Sequence, residues 1–270
     1  MSETPASGAG YRINALSDLY CLPVVYGLQQ PESPAAAGLS FDSAGINTER
    51  LLAGECDAAL IGAVEYARNS SDFSLLPSIG VSSRGESRTI LLCLNRDIRK
   101  ITTVATGVVS SSEIVLTKLI LSEKYEQGVA FVPVIGSLEQ MLSKADAALL
   151  TGDAALRSGW RGPLLDLVDE WSDMTDLPFV HACCAVRTEK TGGQLSSLLL
   201  SSQDAGIRSF RKIASDRCRL FSLSPDHLEQ QLELYSYGFD EEAREGLGEF
   251  YRYAFYLGLL PDVPEINLIS

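Results

Sequence analysis

The sequence predicts an α/β protein with mostly parallel sheets, followed by a helical C-terminal segment. Short apolar runs rich in β-branched residues recur before residue 187, and Gly, Pro, Asp or Ser bounds each run, as is typical of buried strands. Segments with a helical spacing of apolar residues separate these runs. Strand–helix alternation is the pattern of parallel sheets, and the chain after residue 187 is helical in character, so the two observations together give the fold class.

The predicted strands share a short apolar run that a turn-forming residue ends. None of these runs reaches the roughly 18 residues that a membrane-spanning helix needs. The predicted strands are YRINAL (11–16), DAALIGA (57–63), RTILLCL (88–94), ITTVATGVV (101–109), VAFVPVI (129–135), AALLTG (147–152) and FVHACCAV (179–186).

The predicted helices carry start signals that can be read locally. Ser110 and Glu113 have the spacing of a capping box. Near the C-terminus, Ser224 precedes Pro225 at a first helical position, and Asp240 is placed to cap the last helix. The predicted helices are 45–56, 110–128, 137–144, 192–216, 224–239 and 240–260.

The change from α/β to helical character occurs without a flexible linker. The chain shows no internal repeat and no low-complexity segment there. A change of domain without a linker predicts strands that pass between two lobes. The first ten residues, MSETPASGAG, lack the basic start and apolar run of a secretory signal, so we expect residues 1–10 to be a disordered lead-in.

Composition excludes several classes of partner. The chain has 270 residues and a net charge of −13, which disfavours nucleic acid and anionic membranes as partners. Six cysteines without a C-x-x-C motif predict reduced thiols in a cytoplasmic protein, although the adjacent Cys183 and Cys184 leave a redox role open. Two histidines argue against a histidine-rich metal site. The sequence gives no indication of oligomeric state.

Polar residues are concentrated at three places where predicted strands begin or end: 82–88 (SSRGESR), 110–113 (SSSE) and 151–156 (TGDAAL). Ligands of open α/β sheets bind at the carboxyl ends of strands, so these places are candidate binding segments. Arg84 or Arg88 can hold a carboxylate in bidentate fashion. The alternative is that the arginines are solvated and that the serines and Asp153 only cap helices.

Five stretches of the sequence carry a resemblance to a known family: SDLYCLPVVYGL, LLAGECDAALIGAVEY, LLPSIGVSSRGESRTILL, TGDAAL and WSDMTDLPFVHACCAV. They resemble the chorismate dehydratase family of menaquinone biosynthesis, the first enzyme of the futalosine route, over about residues 11–260. Ser83, Arg84 and Gly85 stand in the family's most characteristic motif. The family's second pattern is matched by Trp171, Thr175, Leu177, Pro178, Phe179 and Val180.

The resemblance implies a two-lobed fold like that of type 2 periplasmic binding proteins, with mixed, mostly parallel sheets. Residues 11–95 plus 183–270 would form lobe 1 and residues 96–182 would form lobe 2, with the ligand cleft between them. RTILLCL (88–94) would be the outward crossover strand and FVHACCAV (179–186) the return strand. The C-terminal helices would complete lobe 1.

The implied activity is that of a carbon–oxygen lyase, more narrowly a hydro-lyase. It would convert chorismate to 3-[(1-carboxyvinyl)oxy]benzoate and water without a metal or another cofactor. Because chorismate is a dicarboxylate, two anion pockets are expected, one in each lobe. The substrate's own enolpyruvyl carboxylate is a candidate for the base that removes the ring proton.

The resemblance also assigns site residues. Tyr20 would be the catalytic residue, at a position where the family carries asparagine. Glu113 replaces a serine of the family pattern, and His181 replaces a phenylalanine. These departures leave two alternatives open: an enzyme for another aromatic carboxylate, or a non-catalytic protein that binds small anions. The expected substrate-binding residues are Ser17, Ser83, Arg84, Gly85, Ser110, Ser111, Ser112, Gly152, Asp153 and His181.

Overall fold

The computed structural model describes residues 10–31, 38–189 and 193–269, so nearly all of the expected lead-in lies outside the described residues. The described strands form a six-stranded sheet and a five-stranded sheet. They are β1 (Arg12–Leu16), β2 (Gly38–Asp42), β3 (Ala58–Ile61), β4 (Phe73–Ser83), β5 (Ile90–Leu94), β6 (Thr103–Thr106), β7 (Ala130–Pro133), β8 (Ala147–Thr151), β9 (Leu164–Asp166), β10 (Phe179–Arg187) and β11 (Tyr235–Tyr237).

Helices cover both sheets. Single 3₁₀ turns occur at Leu19–Cys21, Gly27–Gln29 and Ile98–Lys100. The helices are α1 (Leu22–Val25), α2 (Ala44–Leu52), α3 (Ala63–Ala67), α4 (Ser111–Tyr125), α5 (Leu138–Leu142), α6 (Gly152–Arg157), α7 (Leu167–Thr175), α8 (Gly193–Ile207), α9 (Phe210–Phe221), α10 (Pro225–Glu233) and α11 (Glu241–Tyr256).

The strand order is β11-β4-β10-β3-β1-β2 in the first sheet and β7-β6-β8-β5-β9 in the second. The predicted two-sheet α/β fold with mixed sheets is confirmed. Strand β1 pairs parallel with β2 and β3, and β6 pairs parallel with β7 and β8. The pairings of β4, β5 and β10 with other strands of the two sheets are antiparallel, so less of each sheet is parallel than we expected.

The chain crosses between the sheets at different residues from those expected. Strand β5, the expected outward crossover, pairs only with β8 and β9 of the second sheet. The crossing is made by residues 84–89, where Gly85 and Arg88 have φ angles of 73° and 61° that interrupt the extended chain. The chain returns through residues 176–178, so all of β10 lies in the first sheet. The division into two lobes stays a prediction.

Local signals at helix starts match the structure well. Ser110 and Glu113 form the predicted capping box, and Ser224 and Asp240 cap α10 and α11. The predicted helix over 192–216 is instead two helices, α8 and α9. The predicted helix over 224–239 ends at Glu233, because the next residues pair with β4 as the edge strand β11.

The core joins the two sheets. Trp171 of α7 is fully buried and meets the ring of Phe250 from α11 edge-on, with 6.1 Å between centroids. The adjacent Cys183 and Cys184 point to opposite faces of β10 and pack into two different apolar clusters. That separation disfavours a disulfide between them.

No described helix is long and apolar enough to cross a membrane.

Candidate functional site

A cavity of about 520 Å³ lies between the two sheets, within the size range of small-molecule sites. Most of its walls come from the segments that follow β1, β2, β3, β6 and β8. Parallel strands end at the same edge of a sheet, so these segments converge there. The lining is Leu16, Ser17, Asp18, Tyr20, Asp42, Ser43, Ala44, Gly45, Gly62, Glu65, Ile90, Val108, Val109, Ser110, Ser111, Ser112, Glu113, Thr151, Asp153, Ala154, Arg157, Phe179 and His181.

Tyr20 stands in the 3₁₀ turn after β1 and forms part of the cavity floor. Its ring stacks on Tyr235, with centroids 5.4 Å apart, and tilts against His181 at 5.3 Å. Its hydroxyl bonds to no described residue and is not among the fully buried polar atoms, so a ligand in the cavity can reach it. Burial, and secondarily the Asp18 carboxylate, raises the pKa of the phenol well above its usual value. Tyr20 is therefore a neutral hydrogen-bond donor at pH 7.

His181 projects from β10 beside Tyr20. Its Nε2 lies 2.8 Å from the Oγ of Ser83 on the adjacent strand β4. Burial lowers the pKa of His181 to about 3, so the imidazole is uncharged at neutral pH. Ser83 is itself buried and does not line the cavity, so its link to a ligand runs through His181.

Asp18 and Asp153 link the two sheets at the wall of the cavity. The Asp153 amide donates to Oδ1 of Asp18 at 3.1 Å, and the Leu19 amide donates to Oδ1 of Asp153 at 2.8 Å. Burial raises the pKa of both carboxyl groups. Between them Gly152 has a φ of 53°, and a Cβ atom there would lie 1.9 Å from Oδ1 of Asp18. This approach requires glycine at position 152.

The serines at the start of α4 line the cavity, but protein groups already engage them. Ser112 Oγ accepts from the Val64 amide at 2.9 Å and donates to Glu65 at 3.2 Å. The Ser111 amide donates to the other oxygen of Glu65 at 3.3 Å. Glu65 thus occupies the place where a substrate carboxylate was expected, and a binding role for Ser110, Ser111 and Ser112 stays a prediction.

Glu113 also lines the cavity, in the first turn of α4. Its Oε2 accepts from the Ser110 amide at 2.7 Å as part of the capping box. Burial raises the pKa of this carboxyl to about 7; the Ser110 amide opposes the rise and the Asp18 carboxylate adds to it. Glu113 can therefore exchange a proton near neutral pH.

Arg84 and Gly85 do not line the cavity, contrary to the expectation that they form its rim. The guanidinium of Arg84 lies 3.3 Å from both Asp176 and Glu242 at the exposed surface. The Gly85 amide donates to Ser172 Oγ at 2.8 Å. The chain turns outward here to cross between the sheets, which carries both residues away. Their substrate-binding role stays a prediction that this geometry does not favour.

Arg157 was missed in the sequence analysis, and it is the one cationic side chain among the described lining residues. It stands 3.6 Å from Asp153, four residues earlier on α6, and its guanidinium lies over the ring of Phe221 at 5.4 Å. The i, i+4 spacing after a strand end placed both residues on one helix face, and that spacing was the available signal. No cluster of three or more potential metal ligands occurs among the described residues.

Comparisons with known proteins agree with this architecture. The chain is 27% identical to the chorismate dehydratase of Thermus thermophilus over 219 residues, which are 74% of this chain and 80% of that protein. Protein AF1704 from Archaeoglobus fulgidus has a similar structure, with a TM-score of 0.70 and 16% identity over 93% of this chain and 98% of that one.

Two sulfonate-binding proteins also share the fold. The periplasmic aliphatic sulphonate-binding protein SsuA of Escherichia coli gives a TM-score of 0.65 at 13% identity, covering 96% of this chain and 91% of that one. SsuA of Xanthomonas axonopodis pv. citri, bound to MOPS, gives 0.66 at 13% identity, covering 98% and 97%. These likenesses confirm a periplasmic-binding-protein-like fold. The model of the menaquinone biosynthesis family matches residues 11–256, and the chain therefore belongs to that family.

Proposed function

We propose that this protein is a chorismate dehydratase, which converts chorismate to 3-[(1-carboxyvinyl)oxy]benzoate and water. One observation carries the proposal. All five stretches that resemble the chorismate dehydratase family contribute residues to the same cavity: Tyr20, Glu65, Ile90, Asp153 and His181 represent them. The similarity to the Thermus thermophilus enzyme supports it. The proposal includes the cytoplasmic location that the sequence predicts.

The reaction is an elimination that makes the ring aromatic. The proton on ring carbon C3 leaves, its electron pair forms a ring double bond, and the C4–O bond breaks to release water. The C3 proton is acidic because the charge left behind spreads through the C1=C2 double bond to the C1 carboxylate. Aromatisation supplies the driving force, so positioning and charge stabilisation can provide most of the catalysis.

The charge of the cavity fits a substrate that supplies its own base. Arg157 can hold one carboxylate of chorismate by a charge-assisted hydrogen bond. The remaining charged residues of the described lining are acidic, so the enolpyruvyl carboxylate would face no second cation. A neighbouring cation would lower the pKa of that carboxylate and weaken it as a base, whereas nearby carboxylates raise it. A lining with a single arginine can therefore bind one carboxylate of chorismate and leave the enolpyruvyl carboxylate basic enough to remove the C3 proton.

Tyr20 is the proposed catalytic residue in this cavity. Its uncharged phenol can donate a hydrogen bond to negative charge that develops on the substrate as the C3 proton leaves. The stack of Tyr20 on Tyr235 fixes the direction of that donor. A phenol reaches further than the carboxamide it replaces, so the substrate would sit further from β1.

The test is to incubate the purified protein with chorismate, without added metal or nucleotide, and to identify the product by mass. We expect loss of chorismate absorbance and formation of the aromatic ether. Chorismate that raises the melting temperature but stays intact would favour a small-anion binder. If chorismate is not converted and does not raise the melting temperature, the proposal is overturned, and another aromatic carboxylate becomes the candidate substrate.

A further inference from the structure

Tyr20, His181 and Glu113 line one cavity. Tyr20 and His181 are in ring contact at 5.3 Å, and Glu113 faces the same space from the start of α4. Of the three, only Glu113 has a carboxyl group that can give or take a proton near neutral pH. His181 is held uncharged, and the Tyr20 phenol does not ionise there.

We propose that Glu113 donates the proton with which the C4 hydroxyl of the substrate leaves as water. This inference rests on the proposed function. The Ser110 amide holds Oε2 of Glu113 at 2.7 Å and fixes the carboxyl group at the cavity wall. Ser110 is the one described residue that donates a hydrogen bond to this carboxyl group, which lines the cavity. A carboxyl group fixed at a cavity wall by its own helix cap is suited to act as a general acid toward a ligand in the cavity.

The other acidic groups of the lining take part in structural contacts. Asp18 and Asp153 each use one oxygen to accept a backbone amide from the opposite sheet, and Arg157 lies 3.6 Å from the other oxygen of Asp153. Both oxygens of Glu65 are bonded to the start of α4, at Ser111 and Ser112.

Asp42 is paired with Arg50 at 2.8 Å. This ion pair occupies the Asp42 carboxylate. Glu113 is left as the carboxyl group suited to proton transfer.

The step balances with the residues and substrate named. As the C4–O bond breaks, the Glu113 carboxyl gives its proton to the hydroxyl oxygen, and water leaves. The enolpyruvyl carboxylate takes the C3 proton, and the C3–H electron pair becomes a ring double bond. Glu113 ends as a carboxylate and the product's enolpyruvyl group as a carboxylic acid. Return of that proton through water resets both groups.

Glu113→Gln is the informative variant, because glutamine preserves the helix cap. The same chain shows this at α5, where Gln140 accepts from the Ser137 amide at 2.8 Å in a capping box of its own. Glutamine cannot supply a proton. Glu139→Gln makes the same chemical change at an exposed position outside the cavity and is the matched control.

We expect Glu113→Gln to lower kcat by about 100-fold or more, with KM changed little and the melting temperature close to that of the wild type. The wild-type kcat should fall as pH rises through about 7, because only the protonated acid is active, and the variant should lack this limb. If the wild type is active and the Glu113→Gln variant keeps both the wild-type kcat and its fall at alkaline pH, the inference about Glu113 is wrong while the proposed function stands. A wild type without dehydratase activity would overturn the proposed function as well.

Discussion

Replacing Gly152 with alanine tests whether the approach of Asp18 to the start of α6 stabilises the protein. The residue has a φ of 53°, and the added Cβ would lie 1.9 Å from Oδ1 of Asp18. Two costs add. A left-handed conformation costs an alanine about 1 kcal/mol. Displacing Asp18 from the Asp153 amide costs about 2 kcal/mol, at the low end for a charged hydrogen bond because Asp18 is partly exposed.

Gly159 provides the matched control. Its φ is 58°, and a Cβ there would meet no atom within 4 Å, so Gly159→Ala carries the backbone cost alone. We expect urea denaturation to show a loss of about 3 kcal/mol for Gly152→Ala and about 1 kcal/mol for Gly159→Ala, with unchanged m-values. In an Asp18→Gly background the Gly152→Ala loss should shrink to the control value. Equal losses for the two single variants would refute the reasoning, because the Asp18 contact would then contribute nothing.

Three further predictions concern the cavity. Arg157→Ala should raise the KM for chorismate about tenfold, while Arg84→Ala should change it less than about twofold; the reverse order in steady-state kinetics would return Arg84 to the site. Tyr20→Phe should lower kcat about 100-fold with little change in thermal unfolding, and an unchanged kcat would remove the phenol from the mechanism. His181 is held neutral with a pKa of about 3, below its unfolded value of 6.5, so its contribution to stability is complete above pH 6.5 and is lost as pH falls toward 3. The wild type should therefore lose about 2 kcal/mol of stability relative to His181→Phe between pH 6.5 and 4.5, and a pH-independent difference in urea unfolding would contradict this prediction.

Features set by neighbouring residues could be predicted from the sequence. The cap at Ser110 and Glu113 depends on residues three apart, and Asp240 needs only the turn that follows it. The general position of the cavity could also be predicted from the sequence, because strands of a parallel sheet end at a common edge. Segments 110–113 and 151–156 were identified on that basis, and both contribute to the lining.

Features set by distant contacts could not be predicted. Tyr235–Tyr237 is a strand only because it pairs with β4, about 150 residues earlier in the chain, and its local pattern suits a helix equally well. Arg84 stands in a recognisable motif, but a motif does not say which way the chain turns, and the turn at Gly85 directs it outward. The spacing of Asp153 and Arg157 places them on one face of α6, but only the packed fold shows that this face lines the cavity.

The order of strands has a consequence for synthesis of the chain on the ribosome. The five-stranded sheet is built from a continuous segment, β5 to β9, whereas β3 and β4 of the other sheet are separated by β10, which follows that whole segment. The second sheet can therefore fold while the first still lacks a central strand. Tyr20, made early, acquires its stacking partner Tyr235 only near the end of translation. In a nascent chain the facing edges of β3 and β4 thus stay unpaired until β10 is made, and unpaired apolar strand edges favour aggregation.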